Sequence, residues 1–435
     1  MDTDMTYDET VQYLFNCAPP FQQVGGAAYK EGLSTTIALD NYLGNPHKKF
    51  FTIHIAGTNG KGSTSHTLAA ILQECGYKVG LYTSPHLVDF RERIKVNGKM
   101  ASEEFVVEFV QKHKAFFEPL SPSFFELTTA MAFNYFAEQQ VDIAVIEVGL
   151  GGRLDCTNII TPKLSVITNI SLDHTQFLGS TLAEIAGEKA GIMKQGVPVV
   201  VGETTPETKR VFCEKATSIG APLIFAEEEA LLLSATPLPQ GGFEYNTTLY
   251  GTFNGELGGD YQKKNTNTLL SAIARLKECG FAISDDAVRK GFTNVCTKTG
   301  FTGRWQTVEN SPRIVCDAGH NTGGIKYIVK QLERENKRHT ALRIVFGMVN
   351  DKDITAVLAM MPANAVYYFT QASIKRAMPA DELMVKALPY GLKGTSHPTV
   401  QEALEAAKAD SAISDFIFVG GSCFIVADLL QALEK

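Results

Sequence analysis

The sequence lacks the features of several protein classes. No apolar run approaches the roughly 20 residues that a helix needs to cross a bilayer. The start, MDTDMTYDET, is too acidic and polar for a signal peptide. The formal net charge of −7 disfavours nucleic acid as a partner. We therefore expect a protein that binds neither a membrane nor nucleic acid.

Paired cysteines are also absent. The eight cysteines are scattered, and no two of them form a C-x-x-C pair. This spacing argues against a zinc ribbon and against a disulfide framework. Scattered thiols fit a reducing cytosol, so we expect a cytoplasmic protein whose cysteines mostly fill space in its cores.

Neither of two common nucleotide-binding patterns occurs in its standard form. The run GLGGRLD, residues 149–155, has its third glycine at the wrong spacing for the G-x-G-x-x-G loop of NAD-binding proteins. The G-x-x-x-x-G-K-[ST] phosphate loop is missing as well. The sequence therefore disfavours an NAD-dependent dehydrogenase and an ordinary P-loop switch protein.

What the sequence does contain is a regular alternation of strands and helices. Short apolar runs such as VDIAVIEVG and KLSVITNI are typical of parallel strands buried on both faces. Residues 225–262 interrupt this rhythm, and a second α/β series starts near Arg304. We predict an α/β protein with a P-loop, doubly wound N-terminal domain, residues 1–298, and a smaller Rossmann-like C-terminal domain, residues 299–435.

The first candidate site is HIAGTNGKGS, from His54 to Ser63. A strand, a glycine-rich turn and a helix follow one another here, and the N–H groups at such a helix start face an anion. Glycines let the backbone approach a phosphate closely, and Lys61 could reach the β and γ phosphates. Ser63 or Thr64 offers a hydroxyl. The alternative is an ordinary strand-to-helix turn.

Polar residues also follow three other predicted strands. Ser84 stands in TSPHL, Glu147 ends the run VDIAVIE, and His174 lies in LDHTQF. Open α/β sheets bind ligands at the carboxyl ends of their strands, and Mg²⁺ prefers hard oxygen ligands. Each residue alone is as well explained by a turn, a solvent-facing charge or a structural histidine.

These segments together resemble the folate branch of the Mur ligase superfamily, folylpolyglutamate synthase and dihydrofolate synthase. The segments AGTNGKGS, YTSPHLVDFRERI, EVGLGGRLDCTN, LDHTQFLGSTLAEIAGEKAGIMK and GRWQ are similar to motifs of that branch, in the same order. The resemblance implies an ATP-dependent ligase that adds L-glutamate to dihydropteroate, to tetrahydrofolate or to both through an acyl phosphate. The implied phosphate-binding residues are Thr58, Asn59, Gly60, Lys61, Gly62 and Ser63.

The resemblance also implies a metal site and a modified lysine. Ser84, Glu147 and His174 would hold Mg²⁺, and Lys189 in EKAGIMK matches a carbamylated lysine of the family. A carbamate is an anion, so it would let Lys189 bind a second Mg²⁺ rather than repel it. Without the family motif, Lys189 would be taken for a surface lysine on a helix. The implied catalytic residues are Lys61, His174, Lys189 and His320.

Further contacts are implied by the same motifs. The implied nucleotide contacts are Asn265, Arg304, Asp317 and His320. The implied pteroate or folate contacts are Phe125, Glu126, Arg153, Leu154 and Asp155. Residues 25–33 fall where the family has another substrate loop. The sequence departs from the family pattern at Thr266 and Asn267, where the family has two alanines, and at Gly319, where it has one.

Other interpretations stay open at this point. A muramyl-type ligase of cell-wall synthesis shares the phosphate loop, although TSPHL and GLGGRLD disfavour it. A nucleotide-binding module without ligase activity is a second alternative. We expect a monomer that acts on small molecules, and the sequence leaves open whether it makes dihydrofolate, polyglutamate tails or both.

Overall fold

The computed structural model describes residues 5–18, 32–239, 241–350 and 354–433. Most of the additional substrate loop expected at residues 25–33 lies outside these ranges. The chain forms two compact units. Unit 1 comprises residues 1–236, 244–256 and 263–301, and unit 2 comprises residues 237–243, 257–262 and 302–435. The functional domains expected at residues 1–298 and 299–435 stay a prediction.

Unit 1 is built on a large, mostly parallel sheet. Its strands are β1 Phe51–Ala56, β2 Val79–Tyr82, β3 Ile94–Val96, β4 Lys99–Met100, β5 Ile143–Glu147, β6 Leu164–Ile167, β7 Val199–Val201 and β8 Leu223–Phe225. They lie in the order β4-β3-β2-β5-β1-β6-β7-β8. Pairs from β2 to β8 are parallel, while β3 is antiparallel to both β2 and β4. Every residue of β2, β5, β6 and β7 is buried, which explains their continuous apolar sequences.

Helices connect these strands and extend unit 1 beyond the sheet. They are α1 Tyr7–Cys17, α2 Ser34–Tyr42, α3 Lys61–Glu74, α4 Glu103–Phe117, α5 Phe124–Glu138, α6 Thr175–Leu178, α7 Leu182–Ala190, α8 Pro206–Ile219, α9 Ala226–Glu229, α10 Gln262–Glu278, α11 Asp285–Thr293 and α12 Val295–Thr299. Helix α7 begins with a capping box, in which Thr181 and Glu184 form hydrogen bonds across the first turn. The helix ends before Gly191, where a Cβ atom would lie 2.4 Å from Cα of Arg153. The end of α7 therefore packs directly against the loop 149–155.

The segment that interrupts the α/β rhythm forms a separate small sheet. Its strands are β9 Leu232–Pro237, β10 Phe243–Thr247 and β11 Gly251–Gly255, in the order β11-β10-β9. Burial alternates along β10, as expected for a strand with one face covered.

Unit 2 contains the second α/β series. Its strands are β12 Gln306–Asn310, β13 Arg313–Asp317, β14 Leu342–Phe346, β15 Val366–Phe369, β16 Lys393–Ser396 and β17 Phe416–Gly420. Its helices are α13 Thr322–Asn336, α14 Ile354–Met360, α15 Ala380–Ala387, α16 Val400–Ala409 and α17 Cys423–Leu433. The sheet order is β12-β13-β17-β14-β15-β16, with only the β12–β13 pair antiparallel among the described strands. The predicted α/β class is confirmed.

Parallel pairing brings the carboxyl ends of neighbouring strands to one edge of each sheet, and the predicted site residues follow those ends. In the described part of the chain, no helix combines the length and the apolar character needed to cross a membrane.

Candidate active site

The loop between β1 and α3 requires glycine at two positions. Gly57 has φ of 145° and Gly60 has φ of 85°, values that favour a residue without a Cβ atom. A Cβ on Gly57 would lie 1.8 Å from Oγ1 of Thr168, and one on Gly60 would lie 2.3 Å from Oδ1 of Asn265. The unusual glycine spacing therefore follows from how tightly this loop is packed.

Hydrogen bonds to the segment after β6 hold the loop between β1 and α3 in place. The backbone N–H of Thr58 donates to the carbonyl oxygen of Asn169 at 2.9 Å, and that of Asn59 donates to Oδ1 of Asn169 at 2.9 Å. The hydroxyl of Thr58 donates to the carbonyl oxygen of Ser171 at 3.1 Å. These bonds tie the loop to the segment that follows β6.

Lys61, the first residue of α3, folds back over this loop. Its Nζ donates to the carbonyl oxygens of Gly57 at 3.0 Å and Thr58 at 3.3 Å. The amine thus lies over the glycine turn at the N-terminal end of a 14-residue helix, where the helix dipole favours an anion. Ser63 and Thr64 are buried within the first turn of α3. These features fit a bound phosphate group.

The predicted metal ligands follow neighbouring strands. Ser84 follows β2, Glu147 ends β5 and His174 follows β6, and the sheet order places β2, β5, β1 and β6 side by side. Glu147 is buried, and its Oε2 would lie 3.9 Å from a Cβ atom on Gly62. Its carboxylate is therefore near the start of α3.

His174 and its neighbour Asp173 form the third part of this edge. His174 adopts a left-handed conformation with φ of 51° at the start of α6, and its backbone N–H donates to Oδ1 of Asp173 at 2.9 Å. Asp173 was not among the site residues expected from the sequence. Among the described residues, no group of three or more His, Cys, Asp or Glu side chains is placed to hold a metal ion. The mixed set of Ser84, Glu147, His174 and Lys189 is not such a group, and its role stays a prediction.

Lys189 is buried rather than on the surface. Its relative exposure is 4%, and burial, followed by repulsion from Lys61, lowers its pKa from 10.5 to about 7. Asp173 and Asp155 act in the opposite direction. A large share of the amine is therefore neutral near neutral pH, and the neutral amine is the form that combines with carbon dioxide. The environment fits a carbamylated lysine.

Of the expected substrate contacts, Phe125 and Glu126 belong to the first turn of α5. The half-buried ring of Phe125 lies against Gly149, where a Cβ atom would come within 2.5 Å of its Cζ. Glu126 is buried and caps its own helix, because the backbone N–H of Ser123 donates to its carboxylate at 2.7 Å. Phe125 is thus better placed than Glu126 to touch a substrate ring.

Arg153, Leu154 and Asp155 lie in the loop after β5. The exposed Arg153 donates from Nε and Nη2 to Oε1 of Glu188 at 3.0 and 2.9 Å, and Leu154 is half-buried. The carboxylate of Asp155 is buried and accepts from the backbone N–H of Leu150 at 2.9 Å. Asp155 therefore shapes its own loop, a role that spacing in the sequence did not reveal.

In unit 2, the segment DAGHN begins at Asp317, the last residue of β13. Asp317 is buried and accepts from the hydroxyl of Tyr261 at 2.5 Å and from the backbone N–H of Trp305 at 2.8 Å. Burial raises the pKa of Asp317, whereas the nearby Arg304 guanidinium opposes that rise. Tyr261 and Trp305 were not expected as partners, because neither is close to Asp317 in the sequence.

Arg304 and His320 lie on either side of Asp317 along the chain of unit 2. Arg304 donates from Nη1 to the carbonyl oxygen of Gly303 at 3.0 Å, and Nδ1 of His320 lies 3.1 Å from the carbonyl oxygen of Ala318. Both side chains are partly exposed and so remain accessible to a ligand.

Comparison with known proteins identifies the family. Residues 55–230 match the Mur ligase middle domain, and residues 303–423 match the Mur ligase, glutamate ligase domain. The chain is 33% identical over 417 residues to a dihydrofolate synthase/folylpolyglutamate synthase of Bacillus subtilis, covering 93% of this chain and 95% of that protein. This chain belongs to the folylpolyglutamate synthase and dihydrofolate synthase family of Mur ligases.

Solved structures of the family share the whole fold. Escherichia coli FolC in complex with DHPP and ADP superposes with a TM-score of 0.84 at 31% identity, covering 99% of this chain and 98% of that one. A bifunctional folylpolyglutamate synthase/dihydrofolate synthase with Mn, AMPPNP and L-glutamate bound gives a TM-score of 0.82 at 29% identity, covering 99% and 98% of the two chains. The predicted resemblance to the folate branch, and with it the class of ATP-dependent ligases, is confirmed.

Two departures from the family pattern have local explanations. Asn267 donates from Nδ2 to the carbonyl oxygen of Ala226 at 2.6 Å and accepts at Oδ1 from the backbone N–H of Leu232 at 3.1 Å. At Gly319, a Cβ atom would lie 2.6 Å from Cδ1 of Ile328. The polar side chain thus anchors the start of β9 to α10, and the glycine leaves room for Ile328.

Proposed function

We propose that this family member uses ATP to join the amine of L-glutamate to a carboxyl group of dihydropteroate, of tetrahydrofolate or of both. The observation that carries the proposal is the phosphate loop with Lys61 folded over it, in a chain that contains both the middle and the glutamate ligase domains of Mur ligases. Relatives solved with ADP, AMPPNP, DHPP and L-glutamate support the same substrates.

The reaction has two balanced steps. An oxygen of the acceptor carboxylate attacks the γ-phosphorus of ATP, the bond to the β-phosphate oxygen breaks, and ADP leaves. The glutamate amine then attacks the acyl carbon, phosphate leaves, and the nitrogen loses a proton. Such transfers depend on positioning and on neutralising charge more than on a protein nucleophile. The residues proposed below accordingly bind and position the substrates, and none of them is assigned the role of a nucleophile.

Phosphate binding is assigned to the loop after β1. The backbone of Thr58, Asn59, Gly60 and Gly62, the hydroxyl of Ser63 and the amine of Lys61 form this part of the site. Asn265 contributes from unit 1, because its Oδ1 reaches the surface of Gly60. Arg304, Asp317 and His320 are the proposed nucleotide contacts of unit 2. The side chains of Arg304 and His320 offer polar groups to the nucleotide. Asp317 holds the backbone next to each of them, because its carboxylate accepts from the N–H groups of Trp305 and Gly319.

Divalent metal binding is assigned to Ser84, Glu147, His174 and Lys189 as its carbamate. When bound, Mg²⁺ neutralises the charge that moves between phosphate and carboxyl oxygens. The buried carboxylate of Glu147 and the buried, easily neutralised amine of Lys189 support this assignment. The protein's contribution is to hold Ser84, Glu147 and His174 at the ends of strands of one sheet and Lys189 on α7.

The acceptor site is assigned to Phe125, Glu126, Arg153, Leu154 and Asp155. The Phe125 ring provides a flat surface for a pterin beside Gly149, and the loop 149–155 borders it. Glu126 acts through the helix start that it caps. We also propose a functional division into an ATP- and folate-binding domain, residues 1–298, and a glutamate-ligase domain, residues 299–435, in a cytoplasmic monomer.

The decisive experiment measures ATP-dependent phosphate release with two acceptors. Purified protein is supplied with Mg²⁺, L-glutamate and either dihydropteroate or tetrahydrofolate, and mass spectrometry checks for addition of one glutamyl residue. Release that requires both acceptor and glutamate supports the proposal, and the two arms separate a bifunctional from a monofunctional enzyme. A muramyl precursor serves as the contrasting acceptor. Turnover with that precursor alone would overturn the folate assignment.

A further inference from the structure

A buried hydrogen-bonded relay connects the strand before the phosphate loop to the proposed acceptor loop. Nε2 of His54, in β1, lies 2.8 Å from the hydroxyl oxygen of Thr157. That hydroxyl donates to Oδ1 of Asp155 at 2.5 Å. His54 and Thr157 are fully buried, and Asp155 is 5% exposed. Burying three polar side chains lowers the stability of the protein unless they form hydrogen bonds. We therefore asked what these three residues contribute to function.

The direction of the bonds follows from the number of hydrogens. Thr157 has one hydroxyl hydrogen, and the relay directs it to Asp155. The Thr157 oxygen can therefore only accept from His54, which places the His54 proton on Nε2 and leaves Nδ1 bare. Among the described residues, Nδ1 has no hydrogen-bond partner. The opposite direction would leave a buried N–H donor at Nδ1 without an acceptor, which is the more costly arrangement.

Asp155 connects these hydrogen bonds to the backbone of the acceptor loop. Besides the Thr157 hydroxyl, its carboxylate accepts from the backbone N–H of Thr157 at 3.0 Å and of Leu150 at 2.9 Å. These bonds join the two ends of the segment 150–157. A carboxylate with several donors keeps a fixed rotamer and orientation.

The loop is in turn seated on the helix that carries Lys189. The backbone N–H of Arg153 donates to the carbonyl oxygen of Glu188 at 2.8 Å. A Cβ atom on Gly152 would lie 2.8 Å from that same oxygen and 3.1 Å from Cα of Lys189. A shift of the loop would therefore disturb the surroundings of Lys189.

We propose that His54 and Thr157 are positioning residues that fix Asp155 and thereby the shape of the acceptor loop. Neither side chain touches a substrate, because both are fully buried. The inference rests on the proposed function, since the loop is assigned there to the pteroate or folate. It adds that binding of the acceptor depends on a relay that begins in the strand leading to the phosphate loop.

The test compares Thr157→Val with Thr157→Ser. Valine keeps the shape but removes the hydroxyl, so KM for dihydropteroate or tetrahydrofolate should rise about tenfold, the loss expected for one buried hydrogen bond. KM for ATP should change by less than about twofold, because the phosphate loop has its own bonds to residues 168–171. Serine keeps the hydroxyl and should restore the acceptor KM. Equal changes in both KM values, or no change in a folded Val variant, would overturn the proposal.

A spectroscopic readout keeps the proposal testable if the Val variant does not fold. Nitrogen-15 NMR of histidine-labelled protein should give His54 in the Nε2–H form, with His54→Gln used to assign the signal. In Thr157→Ser the same form should persist. An Nδ1–H tautomer in the native protein would contradict the relay even if ligase activity is present. Conversely, a correct tautomer in a protein without ligase activity would locate the failure in the proposed function.

Discussion

The side-chain amine of Lys61 lies 3.0 Å from the backbone carbonyl oxygen of Gly57, so the lysine reaches back across the glycine turn that precedes it. The carbonyl oxygens hold the amine where phosphate oxygens would need a positive charge. The Lys61 side chain is partly exposed.

Removing this amine should abolish ligation without unfolding the protein. In Lys61→Ala we expect kcat for phosphate release to fall at least about a hundredfold, because charge stabilisation of a transferring phosphoryl group is lost. Circular dichroism and thermal unfolding should match the wild type. The exposed Lys49→Ala variant serves as the control and should turn over normally. Normal turnover in Lys61→Ala would refute the phosphate role.

Lys189→Ala should also be inactive, for a different reason. The variant removes the proposed carbamate, so we expect partial rescue by a small carboxylate such as acetate, which can occupy the space and supply the missing oxygens. Activity of the wild type should depend on dissolved bicarbonate after exhaustive degassing. Lys290→Ala, at an exposed helical lysine, is the control. Full activity of Lys189→Ala without any rescue would show that no carbamate is needed.

Gly57→Ala should disable the phosphate loop through backbone displacement. The added Cβ atom would overlap Oγ1 of Thr168 at 1.8 Å, and the residue has φ of 145°. We expect a large loss of ATP affinity, measured by titration calorimetry. Gly76→Ala is the matched control, since Gly76 has φ of 87° but nothing within 4 Å of its Cβ position. Similar ATP affinities of the two variants would contradict the close-packing explanation.

Restoring the family residue should destabilise the protein to different extents at two positions. Asn267→Ala loses two hydrogen bonds to backbone atoms, so we expect the free energy of unfolding to fall by about 1–3 kcal/mol. Gly319→Ala should cost about 1 kcal/mol, the lower end of that range, because Cδ1 of Ile328, 2.6 Å from the new Cβ atom, and Oδ1 of Asp317, 3.1 Å from it, must both shift. Urea unfolding of both variants measures the difference. A larger loss at Gly319 than at Asn267 would count against these packing arguments.

The stability of the protein should depend on pH through His54. Burial lowers the pKa of His54 from 6.5 to about 3, so the unfolded state takes up a proton first as pH falls below 6.5. This contribution to stability is complete above pH 6.5 and is lost as pH falls towards 3, at about 1.4 kcal/mol per pH unit. Urea unfolding of wild type and His54→Gln between about pH 7 and 4 measures the slope. Equal slopes for wild type and His54→Gln would refute the prediction.

Much of the fold could be predicted because its signals are local. Strands β5 and β6 lie within the continuous apolar runs VDIAVIEVG and KLSVITNI. Connections through helices explain why most neighbouring strands are parallel, whereas the order of the strands comes from the structure. The phosphate loop was recognisable for the same reason, since a strand, a turn and a helix start are consecutive in the chain.

The sequence by itself therefore determined the elements, the α/β class, the family and the identity of the proposed site residues. Only the tertiary structure decided which of them are buried and which partners they have. Lys189 resembles a surface lysine until α7 packs on the loop 149–155, and the relay from His54 to Thr157 joins residues 103 positions apart. Periodicity reports the face that a residue occupies on its own element. Burial, altered pKa values and long-range hydrogen bonds arise only when the elements pack together.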